Sequence, residues 1–172
     1  MKGTGHMIRI AALADTHWKG DDAVPQTVLE QLEGVDVVIH AGDIKCEKVM
    51  KALGKGRRQV YAVRGNNFEW DLADLPDSRV ESLDGFKIGV VHDIGALEPF
   101  AVGQKKPEEI FGKPVQMVVF GQTHHPFFDY LQGVPFLNPG SATDLDHRGE
   151  PGTMAIMEVN GNLQRVSFVK LT

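Results

Sequence analysis

Five apolar runs punctuate this chain, and each one ends in a side chain able to bind a metal ion. Ile8 to Ala14 runs into Asp15-Thr16-His17, and Val35 to His40 runs into Ala41-Gly42-Asp43. Gln59 to Val63 leads to Arg64-Gly65-Asn66-Asn67. Phe86 to Val91 leads to His92-Asp93, and Val115 to Phe120 leads to Gly121-Gln122-Thr123-His124. Short β-branched runs bounded by glycine and polar residues predict buried strands. Between the first three runs the apolar spacing becomes helical. Val24, Val28, Leu29 and Leu32 share one face, with Pro25 in the first turn and Glu33-Gly34 ending the helix. Val49, Met50 and Leu53 mark a second short helix closed by Gly54.

Strand-helix-strand alternation implies a parallel sheet with right-handed crossovers. The second half changes character. Asp84-Gly85, Gln132-Gly133 and Asn160-Gly161 each separate two strand-like segments, which is a hairpin signal and points to antiparallel pairing. Lys105 to Gly112, with Pro107, reads as one more short helix. The expected fold is α/β (α+β): two facing mixed β-sheets with helices outside. Residues 7–172 are expected to form one domain. The polar segment Met1 to His6 is expected to lie outside it, with Met7 as the native start.

Composition narrows the function classes. A net charge of −5 argues against an extended nucleic-acid surface. The basic Lys55-Gly56-Arg57-Arg58 is short, lacks interleaved aromatics and reads as a solvated turn. The single cysteine, Cys46, excludes an internal disulfide and reads as a buried thiol. No apolar stretch approaches a membrane span. A cytoplasmic location is expected.

The residues at the strand ends carry the chemistry. Ligands in open α/β sheets bind outside the carboxyl ends of the strands. One crevice lined by carboxylate, imidazole and amide groups is therefore expected, which is the make-up of a two-metal hydrolytic centre. Asp15 and His17, two apart, point the same way if the backbone is extended, and so do Gln122 and His124. Asp43 can offer one oxygen to each ion. Glycines beside Asp43, Asn66 and Gln122 let the backbone turn sharply.

Taken in order, Asp15-x-His17, Gly42-Asp43, Gly65-Asn66, His92 and Gly121-x-Thr123-His124 resemble the calcineurin-like metallophosphoesterases. The likeness is to their small, single-domain phosphodiesterase branch, to which Ile39 to Asp43 and Asn138-Pro139-Gly140-Ser141 also belong. The resemblance implies a four-layer αββα sandwich. It implies that Asp15, His17 and His124 hold one divalent transition-metal ion, that Asn66 and His92 hold a second, and that Asp43 bridges them. Asp43, Asn66 and His92 are carried over as the residues acting in catalysis. The nucleophile would be a metal-bound hydroxide attacking a small phosphodiester, possibly a nucleotide. His and carboxylate ligands suit Mn²⁺, Fe, Co²⁺, Ni²⁺ or Zn²⁺, with Mn²⁺ foremost. Relatives are often oligomers, so a homo-oligomer is a further expectation.

The chain also departs from the family pattern. Gln122 stands where histidine is usual. Either its amide oxygen is a weak ligand or it hydrogen-bonds a metal-bound water. Asn67 stands where larger relatives have histidine. It can bind phosphate but cannot donate a proton. His92-Asp93 lacks the second histidine of the usual pair. Trp18, where glycine is common, is a candidate stacking surface for a nucleobase or aryl ester, and Trp70 carries the same ambiguity. His40, His125, His147 and Arg148 read as structural or rim residues. Two other readings stand beside the diesterase. One is a phosphomonoesterase. The other is a protein-interaction scaffold like the retromer coat subunit of this fold, with an impaired second metal site.

Overall fold

Strand β1 (Ile8–Leu13) is buried along its last four residues, so its sequence shows no polar alternation. One face carries Ile10 and Ala12, the other Ala11 and Leu13, and all four are fully buried. A strand covered on both sides requires a layer on each side of its sheet. The computed structural model describes residues 6–18, 24–67, 72–95, 106–143 and 149–171, and it supplies both layers.

Parallel strands β2 (Val37–His40) and β3 (Gln59–Ala62) extend the sheet from β1. On its other side β9 (Gly152–Val159) pairs antiparallel with β1, and β10 (Leu163–Leu171) with β9. The second sheet has the order β4 (Ser78–Leu83), β5 (Phe86–Val91), β6 (Met117–Val119), β8 (Val134–Pro139), β7 (Pro126–Leu131). Its centre is parallel, and its two edges are hairpin strands running the other way. Both sheets are therefore mixed, as the sequence predicts.

Three apolar clusters order the layers. Ala11, Leu13 and Val38 meet α1 (Gln26–Gln31) and α2 (Glu47–Leu53) through Val28, Leu32, Val49 and Leu53. Ile10, Ala12 and Ile39 face Ile88, Val90, Met117 and Leu137 across the middle. Val118 and Phe136 pack under Ile110 and Phe111, around α3 (Pro107–Phe111). The sequence is helix, sheet, sheet, helix.

The hairpins follow their turn chemistry. Asp84-Gly85 and Gln132-Gly133 have positive φ at both positions, the type I′ signature. At the third, only Gly161 is left-handed, the amide of Asn160 donates to the carbonyl of Asn162, and the register slips between Leu163 and Arg165. That loop is a wider turn with a bulge, not the two-residue turn that its Asn-Gly suggests. The segment Met1 to Gly5 lies outside the described residues, as do Trp70, His147 and Arg148.

His40 ends β2 and is fully buried. Its Nε2 lies 3.2 Å from Thr16 Oγ1, and that hydroxyl faces the carbonyl of Asp43 at 3.4 Å. A carbonyl only accepts, so the hydroxyl donates to it and His40 Nε2–H donates to the hydroxyl. Its Nδ1 is left without a partner. Burial first, then the neighbouring His92 and His17, push the His40 imidazole down to about 3. The unfolded chain titrates near the ordinary value of 6.5. Between those two values the unfolded state binds a proton that the folded state refuses. Stability therefore falls as pH drops through that window. His40→Gln keeps a donor for Thr16 and removes the titration. Its thermal midpoint should fall less steeply than that of the parent between about pH 7 and about pH 4. Parallel midpoint curves would show that His40 is not the source of the slope.

Candidate metal centre

Strands β1, β2, β3, β5 and β6 all stop just before the residues that the sequence singles out. Three belong to one sheet and two to the other, so the residues meet across the seam between the sheets. Backbone hydrogen bonds lace the loops together. The amide of Asp15 donates to Gly42 O at 3.0 Å, and that of His17 to Asp43 O at 3.2 Å. The amide of Asp43 donates to Arg64 O at 3.2 Å, and that of Gly121 to His92 O at 3.0 Å.

These loops are left-handed where the site residues sit. Asp15 (φ 50°), His17 (φ 49°), Asp43 (φ 61°), Gln122 (φ 71°) and His124 (φ 60°) are among the few non-glycine residues with positive φ. Such a conformation costs roughly 1–3 kcal/mol per residue and persists only where the surroundings enforce it. The expected extended backbone for Asp15-x-His17 and Gln122-x-His124 is thus corrected. The strands have already ended, and Asp15, His17 and His124 converge through left-handed turns, while Gln122 reaches Asn66. Two glycines permit the convergence by lacking a side chain. A Cβ on Gly65 would lie 2.4 Å from Asp43 N and Oδ1, and one on Gly42 2.6 Å from His92 Nδ1. Gly121 is not left-handed. It is needed because a Cβ there would lie 2.9 Å from Asp15 Oδ2.

Two ligand groups result, and they overlap. Asp15, His17 and His124 form one, and Asp15, Asp43 and His92 form the other, with donor atoms in each within 4.8 Å of one another. Asp15 Oδ1 lies 3.4 Å from His124 Nε2 and 3.9 Å from His92 Nε2. Asp43 Oδ2 lies 3.6 Å from His17 Nε2, and its Oδ1 lies 3.4 Å from His92 Nε2. Asp43 turns one oxygen toward His17 and the other toward His92. Asp15, expected on one side only, is also common to both groups.

The second group shows most directly what its residues fit. His92 Nδ1 donates to Ala41 O at 2.7 Å, which leaves the lone pair on Nε2. That lone pair faces oxygens of Asp15 and Asp43, and all three residues are buried. Neither His92 Nε2 nor Asp15 Oδ1 has a hydrogen-bond partner. Buried lone pairs turned toward one another repel, and a cation between them reverses the sign. The residues fit a divalent ion. Burial also lowers the pKa of His17, against the pull of Asp43 and Asp15, so its imidazole is neutral as a ligand must be.

The remaining predicted residues surround this core. Asn66 and Asn67 donate their backbone amides to Asp43 Oδ1, each at 2.9 Å. Asn66 Nδ2 donates to Gln122 Oε1 at 2.8 Å, so Gln122 orients the Asn66 amide and leaves its oxygen as the free acceptor. The amide of Gln122 donates to Asp15 Oδ2 at 3.0 Å. Asn67 lies at the rim, its Nδ2 3.4 Å from His17 Nδ1. Trp18 is a correction: it is 7% exposed and packed in the helix-side cluster, so it offers no stacking face. Cys46 is buried in the same cluster. His125 is exposed.

Sequence reasoning missed the residues that brace the centre. Ser141 Oγ donates to Asp15 O at 2.7 Å. Asn138 Nδ2 donates to Gly121 O at 2.8 Å and to Thr123 Oγ1 at 3.0 Å. The Asn138 to Ser141 motif was available as a resemblance, but its role was not. Lys45, which bonds Asn67, carried no signal except its place two residues after Asp43.

Comparison with known proteins agrees with this geometry. The calcineurin-like phosphoesterase superfamily domain matches residues 8–162. A probable metallophosphoesterase of Methanocaldococcus jannaschii is 32% identical over 143 residues, covering 81% of this chain and 70% of that protein. Two solved structures share the fold. Vps29 from Entamoeba histolytica superposes with a TM-score of 0.73 at 22% identity, over 96% of this chain and 100% of that one. An archaeal phosphodiesterase superposes with a TM-score of 0.70 at 22% identity, over 95% and 100%. With its two overlapping Asp and His groups at the ends of strands from both sheets, this chain belongs to the calcineurin-like phosphoesterase superfamily.

Proposed function

We propose that this protein is a metal-dependent phosphodiesterase acting on small diesters through two divalent ions, with Mn²⁺ the best match. The observation that carries the reading is the pair of ligand groups sharing Asp15, with Asp43 extended toward both. Asp15, His17 and His124 would hold one ion, and Asp43, His92 and Asn66 the other, with Gln122 beside it. Neutral imidazole with carboxylate and amide oxygen is a mixed donor set that suits Mn²⁺ better than Mg²⁺.

Bound ions would supply Lewis acidity toward the phosphate and the nucleophilic oxygen at neutral pH. The chain's part is to place its donors and hold them. Ala41 O fixes the His92 tautomer, which keeps Nε2 available. The amides of Asn66 and Asn67 hold Asp43 Oδ1, and Ser141 anchors the Asp15 backbone. Asn67 can hydrogen-bond a phosphate oxygen but cannot protonate a leaving group. Esters of acidic alcohols such as nitrophenols are therefore the better substrates.

The Asn66–Gln122 bond favours a second reading. If Gln122 serves only to hold Asn66, the second ion binds weakly and the protein acts as a scaffold. Turnover decides between them. The protein with saturating Mn²⁺ should hydrolyse bis(p-nitrophenyl) phosphate, and absence of release above buffer would favour the scaffold.

Asp43→Ala removes the carboxylate that reaches both halves. Turnover should drop on the order of a thousandfold, since positioning both ions contributes several kcal/mol. Retained turnover would refute the shared-carboxylate arrangement. Gln122→His replaces a neutral amide by an imidazole and should tighten the weaker ion about tenfold in a calorimetric Mn²⁺ titration. An unchanged isotherm would show that position 122 faces no ion.

A further inference from the structure

A cavity of about 450 Å³ adjoins the first ligand group. His124 belongs to both, since it stands with Asp15 and His17 and also forms part of the cavity wall. Ser141, which anchors the Asp15 backbone, lines the cavity as well. The rest of the wall comes from the flank where the two sheets end. Pro126 begins β7, the outer strand of one sheet, and Lys170 lies near the end of β10, the outer strand of the other. An ester whose phosphate lies among the ligand groups therefore has this cavity within reach of its alcohol.

The lining indicates which alcohol fits. The two buried hydroxyls already give their protons to backbone carbonyls. Thr153 Oγ1 donates to Pro139 O at 2.8 Å, and Ser141 Oγ to Asp15 O at 2.7 Å. Pro126 and Pro151 supply apolar wall. Glu150 and Lys170, both exposed, are opposite in charge, so the cavity offers no net attraction to a further anion. Apolar wall with a few polar groups at this volume is the make-up of a small-molecule site. Its gain comes from apolar area removed from water, which a methyl group hardly provides and a ring does.

We infer that this cavity seats one alcohol of the diester, and that the preferred alcohols are uncharged and ring-bearing, as a nucleoside is. This rests on the phosphodiesterase reading and specifies its substrate class.

The experiment compares methyl phosphate with thymidine 5′-phosphate, by calorimetry on the Mn²⁺-loaded protein. Each ligand carries the same phosphate and a single alcohol, so the difference reports what surrounds the alcohol. The parent should bind the nucleotide about tenfold more tightly, the gain from burying one ring-sized apolar group. The cavity is then blocked in the folded protein. Cys46 is the only cysteine and is buried, so Lys170→Cys places one accessible thiol in the wall. Methanethiolsulfonate reagents cap that thiol with either a methyl group or a bulky nitroxide ring. The methyl cap should keep the nucleotide's advantage, and the nitroxide should erase it. Equal binding of the two ligands by the parent would overturn the inference, and so would an advantage that survives the nitroxide. If the parent fails to hydrolyse bis(p-nitrophenyl) phosphate, the phosphodiesterase reading falls, while the calorimetric comparison still judges the cavity by itself.

Discussion

Like charges and lone pairs held together inside the protein dominate the rest of this architecture. Asp15, Asp43 and His92 are buried and face one another with acceptors only. Nothing in their own chemistry draws them together. The backbone does so, through amides that grip the carboxylates from behind and a carbonyl that takes the one imidazole proton. The apolar layers on both faces of each sheet supply the stability that this assembly consumes. Site and core are therefore two sides of one balance: the better packed the strands, the more repulsion their ends can tolerate.

The same balance explains the left-handed residues. The strands end before these residues, and the loops that follow bring Asp15, His17 and His124 together through left-handed turns at a local conformational cost. Gly42 and Gly65 let neighbouring loops approach within distances that any side chain would block.

Much of this was legible in the sequence, for identifiable reasons. Strands buried on two faces appear as unbroken apolar runs, so β1, β2, β5 and β6 stood out with the candidate ligands that follow them. Turn pairs such as Asp84-Gly85 and Gln132-Gly133 require positive φ and are chosen for it. What stayed hidden depends on long-range contact. Trp18 follows a candidate ligand and read as a stacking surface, yet its indole is packed in the helix-side core. Asp15 was expected beside His17 and His124 alone, yet its Oδ1 lies near His92 as well as His124. The Asn66–Gln122 amide pair joins residues from different sheets, and no local pattern encodes it.

Ser141 grips the Asp15 backbone from 126 positions downstream, and β9 completes the flank of β1 from the same region. The candidate ligand Asp15 is therefore braced by a segment synthesised long after it. A growing polypeptide has Asp15 and His17 out in solution long before their brace exists. A cation bound by these candidate ligands would therefore report that the two distant segments have met.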